Sequence, residues 1–300
     1  MVIVNIFAGL GNQMFQYATG RRLARKLGVE LKLDLSSFDR CQFRKYQLNL
    51  FQIPERVATR QEVESIKGPE QVSLPGRVLR KAHKVINPRI GFRLGGLVAE
   101  KHFHFDPSIL TLGDQVYLFG LWQSPKYFDD TAALIREEFT LKEAPAGKNR
   151  ALAGEMKAQP QSVSLHVRRG DYVSDPHSNQ SHGVCGADYY HRAIAHMAER
   201  LPQAHFYIFS DDVDWARSNL QLPRPATFID HNGPDKGVED LRLMGQCRHH
   251  VIANSSFSWW GAWLNPDPEK RVCAPGRWFG ENAKVRRQSK DILPDNWTVL

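Results

Sequence analysis

Cysteine is scarce in this chain. Its four cysteines in 300 residues, Cys41, Cys185, Cys247 and Cys273, form no CxxC pair. That excludes a zinc ribbon or a disulfide scaffold and fits reduced thiols in a cytosol. Long apolar runs are missing too, so nothing approaches the ~20 residues needed to span a bilayer. The start, Met1-Val2-Ile3-Val4-Asn5-Ile6-Phe7, has no basic n-region and is too short for a signal h-region, so it reads as a strand. The twelve histidines show no metal-ligand spacing: His249-His250 face opposite sides of a strand, and His102-x-His104 lacks partners. No internal repeat or low-complexity tract occurs. Between Gln71 and Ala99 there is no acid, yet Arg77, Arg80, Lys81, Lys84, Arg89 and Arg93 all fall there. Aromatics are sparse in that segment, which argues against a single-strand stacking platform. A solvated basic face is the plainer reading of 77–93. Peripheral docking on an acidic membrane surface is the other.

What is present is a regular alternation of strand and helix. Residues 1–35 read as a βαβ unit, with a strand at 2–7 and the turn Ala8-Gly9-Leu10-Gly11-Asn12. A helix follows at 13–27 on Met14, Phe15, Ala18, Leu23 and Leu27, with Gly28 as its C-cap and a second strand at 29–35. Residues 36–113 are the least legible, with a helix over 55–67. A strand at 116–119 and a helix over 129–139 come next. The polar stretch 142–161, rich in Ala, Gly, Lys and Pro, is the best candidate for a domain boundary. Beyond it, strands at 162–167, 205–210, 226–230, 249–253 and 271–274 alternate with helices at 187–201, 212–220, 238–247 and 255–264. The expected fold is α/β, with two Rossmann-like domains, 1–145 and 146–300, facing a cleft.

The chemistry-bearing residues cluster at strand exits. His166-Val167-Arg168-Arg169-Gly170-Asp171-Tyr172 follows the apolar-alternating Ser162-Val163-Ser164-Leu165. Arginine presents a planar fork that fits phosphate oxygens two at a time, and ligands of open α/β sheets lie beyond the carboxyl ends of strands. The turn is therefore a candidate pyrophosphate clamp; the plainer reading is an Arg169–Asp171 surface ion pair. The net charge of +8 fits an anionic small molecule, a nucleic acid or a membrane surface equally well. Gly9-Leu10-Gly11-Asn12-Gln13 lies at a strand-to-helix turn, but Met14 stands where the dinucleotide fingerprint needs a third glycine. Asn254-Ser255-Ser256-Phe257-Ser258 opens an apolar helix and could cradle a phosphate, although one serine suffices as an N-cap. Asp212-Val213-Asp214 matches the DxD pattern of metal-dependent sugar transferases, yet acids at a helix start are expected from the macrodipole. Glu239-Asp240 begins the helix before the serine-rich turn, where a carboxylate could take two N–H donors from a guanine edge, although helix-dipole capping explains it equally well.

Four segments, in order, resemble bacterial α-1,2-fucosyltransferases of glycosyltransferase family 11. They are Phe7-Ala8-Gly9-Leu10-Gly11-Asn12-Gln13-Met14-Phe15-Gln16-Tyr17, Trp122-Gln123-Ser124-Pro125-Lys126-Tyr127-Phe128, the run from His166 to Tyr172, and the run from Asn254 to Trp263. The resemblance covers nearly the whole chain. It implies a GT-B fold with an acceptor-side first domain and a donor-binding second domain. It also implies inverting transfer of L-fucose from GDP-fucose to the 2-hydroxyl of a terminal galactose on an oligosaccharide or glycolipid. No metal, other cofactor or nucleic-acid partner is implied. By the same resemblance, Arg168, with Arg169 beside it, matches the arginine on the donor's β-phosphate, and His166 matches a histidine near guanine and phosphate. Asp240 is similar in placement to a guanine-binding aspartate. Asn254, Ser255, Ser256, Phe257 and Ser258 match the nucleotide-holding turn. Asn12, flanked by Gly11 and Gln13, matches an asparagine near the reacting sugar. The general base is not settled this way. Asp171 is the candidate, with orientation of Arg168 or Arg169 as its equal alternative. The runner-up is another GDP-sugar or fucosyl transferase with a different linkage. A basic glycan- or nucleic-acid-binding protein is the reading from another class. The expected location is the cytoplasm, at the inner face of the membrane if 77–93 docks there.

Overall fold

A computed structural model describes residues 1–39, 44–67, 96–175, 179–180, 182–280 and 289–300. The basic stretch 77–93 lies outside the described residues, as does the side chain of Asp171. The chain divides into two compact units, Met1–Thr140 with Lys290–Ile292, and Leu141–Ser289 with Leu293–Leu300.

The first unit holds β1 (Val2–Asn5), α1 (Leu10–Leu27), β2 (Leu31–Asp34), α2 (Arg60–Lys67), β3 (Leu97–Ala99), β4 (Val116–Phe119) and α3 (Ala132–Glu138). Its sheet runs β2-β1-β4-β3, all parallel. Gly28 ends α1 in the left-handed region at φ 64°, where its N–H reaches the Ala24 and Arg25 carbonyls. The helix expected over 55–67 starts only at Arg60. A capping box sets that start: Glu62 N–H donates to Thr59 Oγ1 at 3.3 Å, and Thr59 N–H donates to Glu62 Oε2 at 2.9 Å. α1 is tied to α3 by a buried cluster in which Tyr17 Oη donates to Glu138 Oε2 at 2.6 Å and Arg21 Nη2 lies 2.7 Å from Glu138 Oε1.

The second unit holds α4 (Gly147–Ala158), β5 (Ser162–Val167), α5 (Gly170–Ser174), α6 (Ala187–Arg200), β6 (His205–Ser210) and α7 (Val213–Asn219). β7 (Ala226–Ile229), α8 (Gly237–Met244), β8 (His249–Val251), α9 (Ser256–Leu264), β9 (Val272–Ala274) and β10 (Thr298–Val299) follow. The sheet order is β10-β9-β8-β5-β6-β7, again all parallel. All six residues of β5 are buried, as a central strand covered on both faces requires. α6 packs over the sheet with Tyr189, Tyr190, Ala193, Ile194 and Met197, the spacing of one helical face. The stretch 142–161 is partly helical. It contains α4, because Leu152 and Met156 stand one turn apart and both bury, among good helix formers. Among the described residues no helix is long and apolar enough to cross a membrane.

The two sheets share a consequence of strand order. In the first, the chain proceeds from β1 outward to β2 on one side, while β4 and β3 lie on the other. The order therefore reverses between β1 and β4. In the second it reverses between β5 and β8. Crevices beyond the carboxyl ends of strands at such reversals are the ligand sites of open α/β sheets. The turn after β1 leads into the first turn of α1, which carries Gly11, Asn12 and Gln13, and the turn after β4 carries Trp122-Gln123. The turns after β5 and β8 carry the arginine pair and the serine-rich run.

Candidate functional site

At the exit of β5 the two arginines point to different partners. Register places Val167 of β5 beside Ser210 of β6, so the next residues, Arg168 and Asp211, leave their strands as neighbours. Arg168 Nη1 lies 2.7 Å from Asp211 Oδ2. The other oxygen of Asp211 accepts the Arg169 N–H at 2.8 Å. Arg169 turns away, its Nε 3.1 Å from Asp212 Oδ2 and its guanidinium 4.1 Å from the Trp215 ring centroid. The partner of Arg169 is thus Asp212. The fork of Arg168 is oriented by one carboxylate, Asp211, which also fixes the turn. Gly170 is needed in that turn. A Cβ there would come within 2.6 Å of Asp211 Oδ2 and displace the carboxylate.

Asp212 of the DxD pair has work of its own. Asp212 Oδ1 accepts the Trp215 N–H at 3.1 Å and so caps α7, while Oδ2 faces Arg169.

Across the strand reversal, Ser255 caps α9 by accepting the Phe257 N–H at 3.3 Å. Ser258 Oγ donates back to the Ala253 and Ser255 carbonyls at 3.4 and 3.3 Å. Asn254 is a buried stitch. Its amide reaches the carbonyls of His182, Gly183 and Trp278, and its Oδ1 accepts from Cys185 Sγ at 3.3 Å. Ser256 and Phe257 stay half-buried in the first turn. The Phe257 ring centroid lies 5.6 Å from that of His166. His166 is buried, its Nδ1 has no partner among the described residues, and burial pushes its pKa down to about 4. It is a neutral imidazole at pH 7, able to hydrogen-bond but carrying no charge.

Asp240 stands in the first turn of α8 and accepts from Asn232 Nδ2 at 2.8 Å. Asn232 continues to Asn149, whose Oδ1 lies 2.6 Å from His231 Nε2. Burial pushes the Asp240 carboxyl up to about 6, against the pull of Asn232. Residues 149, 231 and 232 carried no motif; only the fold brings them to Asp240.

In the first unit Gln123 Nε2, after β4, donates to Asn12 Oδ1, in the first turn of α1, and the Phe7 and Phe119 rings stack at 5.7 Å across the same strand reversal. Gln13 braces the same turn, donating to the Ala8 and Lys45 carbonyls at 2.9 Å each and accepting the Gln47 N–H at 3.0 Å. Gly11 is buried in the first turn of α1. Asp171 falls within α5.

One buried constellation imitates a nucleophilic triad. Ser164 Oγ lies 2.8 Å from His250 Nδ1, and Asn265 Nδ2 lies 3.0 Å from His250 Nε2. Asn265 Oδ1 accepts the Asp267 N–H, so its Nδ2 is the donor toward the ring. His250 Nε2 is then the acceptor and Nδ1 carries the hydrogen, giving it to serine. A nucleophilic serine needs the reverse. This is a core brace.

Residues 1–299 match the family model of Glycosyl transferase family 11. The chain belongs to that family. Among its relatives, the O-antigen biosynthesis glycosyltransferase WbnK of Escherichia coli is 33% identical over 306 residues, which cover 97% of this chain and 98% of WbnK. An alpha-1,2-colitosyltransferase of Escherichia coli is 32% identical over 308 residues, covering 100% of this chain and 99% of its own. The galactoside 2-alpha-L-fucosyltransferase SEC1 of Bos taurus is 28% identical over 267 residues, covering 87% and 63%. In this family 11 glycosyltransferase, the residue that the motifs alone undervalued is Asp211. The signal for it was available: two adjacent parallel strands ending in register, one in Arg168 and the other in an acid.

Proposed function

We propose that the chain is an inverting, metal-independent transferase that moves L-fucose from GDP-fucose to the 2-hydroxyl of a terminal galactose. One observation carries the reading: the Arg168 fork, oriented by Asp211, stands at the same strand reversal as the N-terminus of α9. The leaving group of such a donor develops charge on its β-phosphate. A guanidinium and helix-end N–H groups can stabilise that charge without a divalent ion. His166, Ser256 and Phe257 line the approach to the nucleotide, and Asp240 accepts from a guanine edge. Asn12 lies near the reacting sugar. The acceptor hydroxyl attacks the opposite face of the sugar, and Asp171 takes its proton, a contribution of about 10²–10⁴-fold.

The full-length similarity to an alpha-1,2-colitosyltransferase supports a second reading, in which colitose is the sugar moved. Incubating the protein with either nucleotide sugar and galactose-terminated oligosaccharides in EDTA, with linkage analysis of the products, tests both. The expected product is an α-1,2-fucoside formed in chelator. A colitoside alone would select the second reading, and a requirement for manganese would overturn metal independence.

Two carboxylates give separable outcomes. Asp171→Asn lowers transfer strongly and leaves GDP affinity similar, because the interaction lost belongs to the transition state; parallel loss of both assigns Asp171 to orientation instead. Asp240 is charged above about pH 6 and neutral below it. GDP binding by calorimetry is therefore expected to weaken roughly tenfold between pH 7 and pH 5. In Asp240→Asn the Asp240 share of that dependence is absent, only the titration of the terminal phosphate of GDP remains, and binding stays weak throughout. The Asp240 carboxyl is raised by folding, so its charge opposes stability above pH 6, and the variant folds at least as stably there.

A further inference from the structure

Beyond the carboxyl ends of β3 and β4 lies a cavity of about 210 Å³ that no step above uses. It is lined by Glu100, Lys101, His102, Asp106, Trp122 and Tyr127, among others. Drug-sized ligands occupy roughly 300–1,000 Å³, so this space suits a single small ring. Its wall mixes two carboxylates with one ammonium, which disfavours a phosphate and suits a neutral, hydroxyl-bearing ligand.

Glu100 is held in place. Its two oxygens accept the Leu121 and Trp122 N–H groups at 2.8 and 3.0 Å, across a turn in which Trp122 takes φ 55°. Gly120 makes room for this. A Cβ there would lie 2.4 Å from Glu100 Cβ and 2.9 Å from Trp122 Cε2. Burial pushes the Glu100 carboxyl up to about 7, so its ionised form is under-solvated and gains from a further donor. The Trp122 indole N–H is buried with no acceptor among the described residues, whereas buried tryptophans usually find one. Tyr127 fixes the aromatic side of the wall, its ring packed edge-on to Trp122 at 5.7 Å and its hydroxyl accepting the Asp106 N–H at 2.9 Å. The half-buried Glu100 carboxylate and the half-buried Leu112 side chain offer an acceptor and an apolar contact to the hydroxyl rim and apolar face of a pyranose.

We propose that this cavity binds one neutral pyranose ring, the terminal sugar of the acceptor, with Glu100 accepting from its hydroxyls. Naming that sugar as the acceptor rests on the transferase reading above; the binding itself does not require a donor. The test uses the full chain and the methyl pyranosides of galactose, glucose and N-acetylgalactosamine, followed by saturation-transfer NMR without nucleotide. At least one is expected to bind. Glu100→Gln is expected to weaken it about tenfold, the loss of a charged hydrogen bond, with GDP affinity unchanged. Because Glu100 also braces a turn, Gly113→Leu is the second variant. Gly113 lines the same cavity, and a Cβ there meets nothing within 4 Å. It should narrow the cavity, leave the Glu100 bonds intact and raise the acceptor KM with kcat preserved. Binding of none of the three glycosides, or binding and acceptor KM unmoved in both variants, overturns the proposal. Glycoside binding lost in both variants, in a protein that fails to bind GDP, would keep the cavity and remove the donor reading instead.

Discussion

Arg168→Lys is expected to leave a folded protein whose transfer rate falls by about 10²–10³-fold, close to the loss in Arg168→Ala. Lysine keeps the charge but not the fork. Arg168 faces Asp211 through Nη1 at 2.7 Å, and a planar guanidinium can hold a carboxylate on one edge while presenting another edge to phosphate oxygens. An ammonium is a point charge and cannot be anchored and bidentate together. Single-turnover rates with GDP-fucose and a galactoside measure this directly. Near wild-type turnover in a folded Arg168→Lys protein would remove the clamp from the account.

Asp211→Ala is the second large effect, and its pattern differs. Asp211 holds Arg168 with one oxygen and the Arg169 N–H with the other. Its removal loosens the guanidinium. Misplacement by about 1 Å costs on the order of 10²-fold in rate. The substitution also removes a negative charge beside the anion site, so GDP affinity should stay within a few-fold of wild type. A rate loss without affinity loss identifies Asp211 as the residue that orients Arg168. Gly170→Ala is expected to act in the same direction, through the same carboxylate. Equal losses of rate and GDP affinity in Asp211→Ala would instead make it part of the binding surface.

Much of this site was legible because parallel α/β sheets write their ligand turns at strand ends. β5 is six residues of continuous burial, and the arginines follow it at once. The turn Asn254-Ser255-Ser256 follows β8 in the same way. What could not be read was the division of labour within a motif. Ser255, Ser258 and Asn254 look alike as ligand donors. Their carbonyl and N–H partners give the first a cap, the second a back-bond and the third a stitch across residues 182, 183 and 278. His182 and Asn254 are 72 residues apart in sequence, so no local pattern announces that stitch. Glu100 was illegible for a similar reason. It stands after a three-residue strand in the stretch 36–113, and only the pairing of β3 with β4 brings it to the Trp122 turn. α4 was hidden by composition: alanines, lysines and two glycines outvoted two apolar residues at helical spacing. The pair Tyr17 and Glu138 shows the limit from the other side, since a single buried hydrogen bond across 121 residues leaves no local pattern at all.

The central claim is that the turn after β5 grips the pyrophosphate of a guanosine diphosphate sugar. Isothermal titration of GDP and GMP into the protein in EDTA, repeated with Arg168→Lys, tests it most directly. The expected result is GDP binding in chelator with much weaker GMP binding, and a collapse of that preference for GDP over GMP in Arg168→Lys, where the fork is lost. A contradictory result is equal affinity for GDP and GMP in both proteins, or binding of RNA with no binding of GDP.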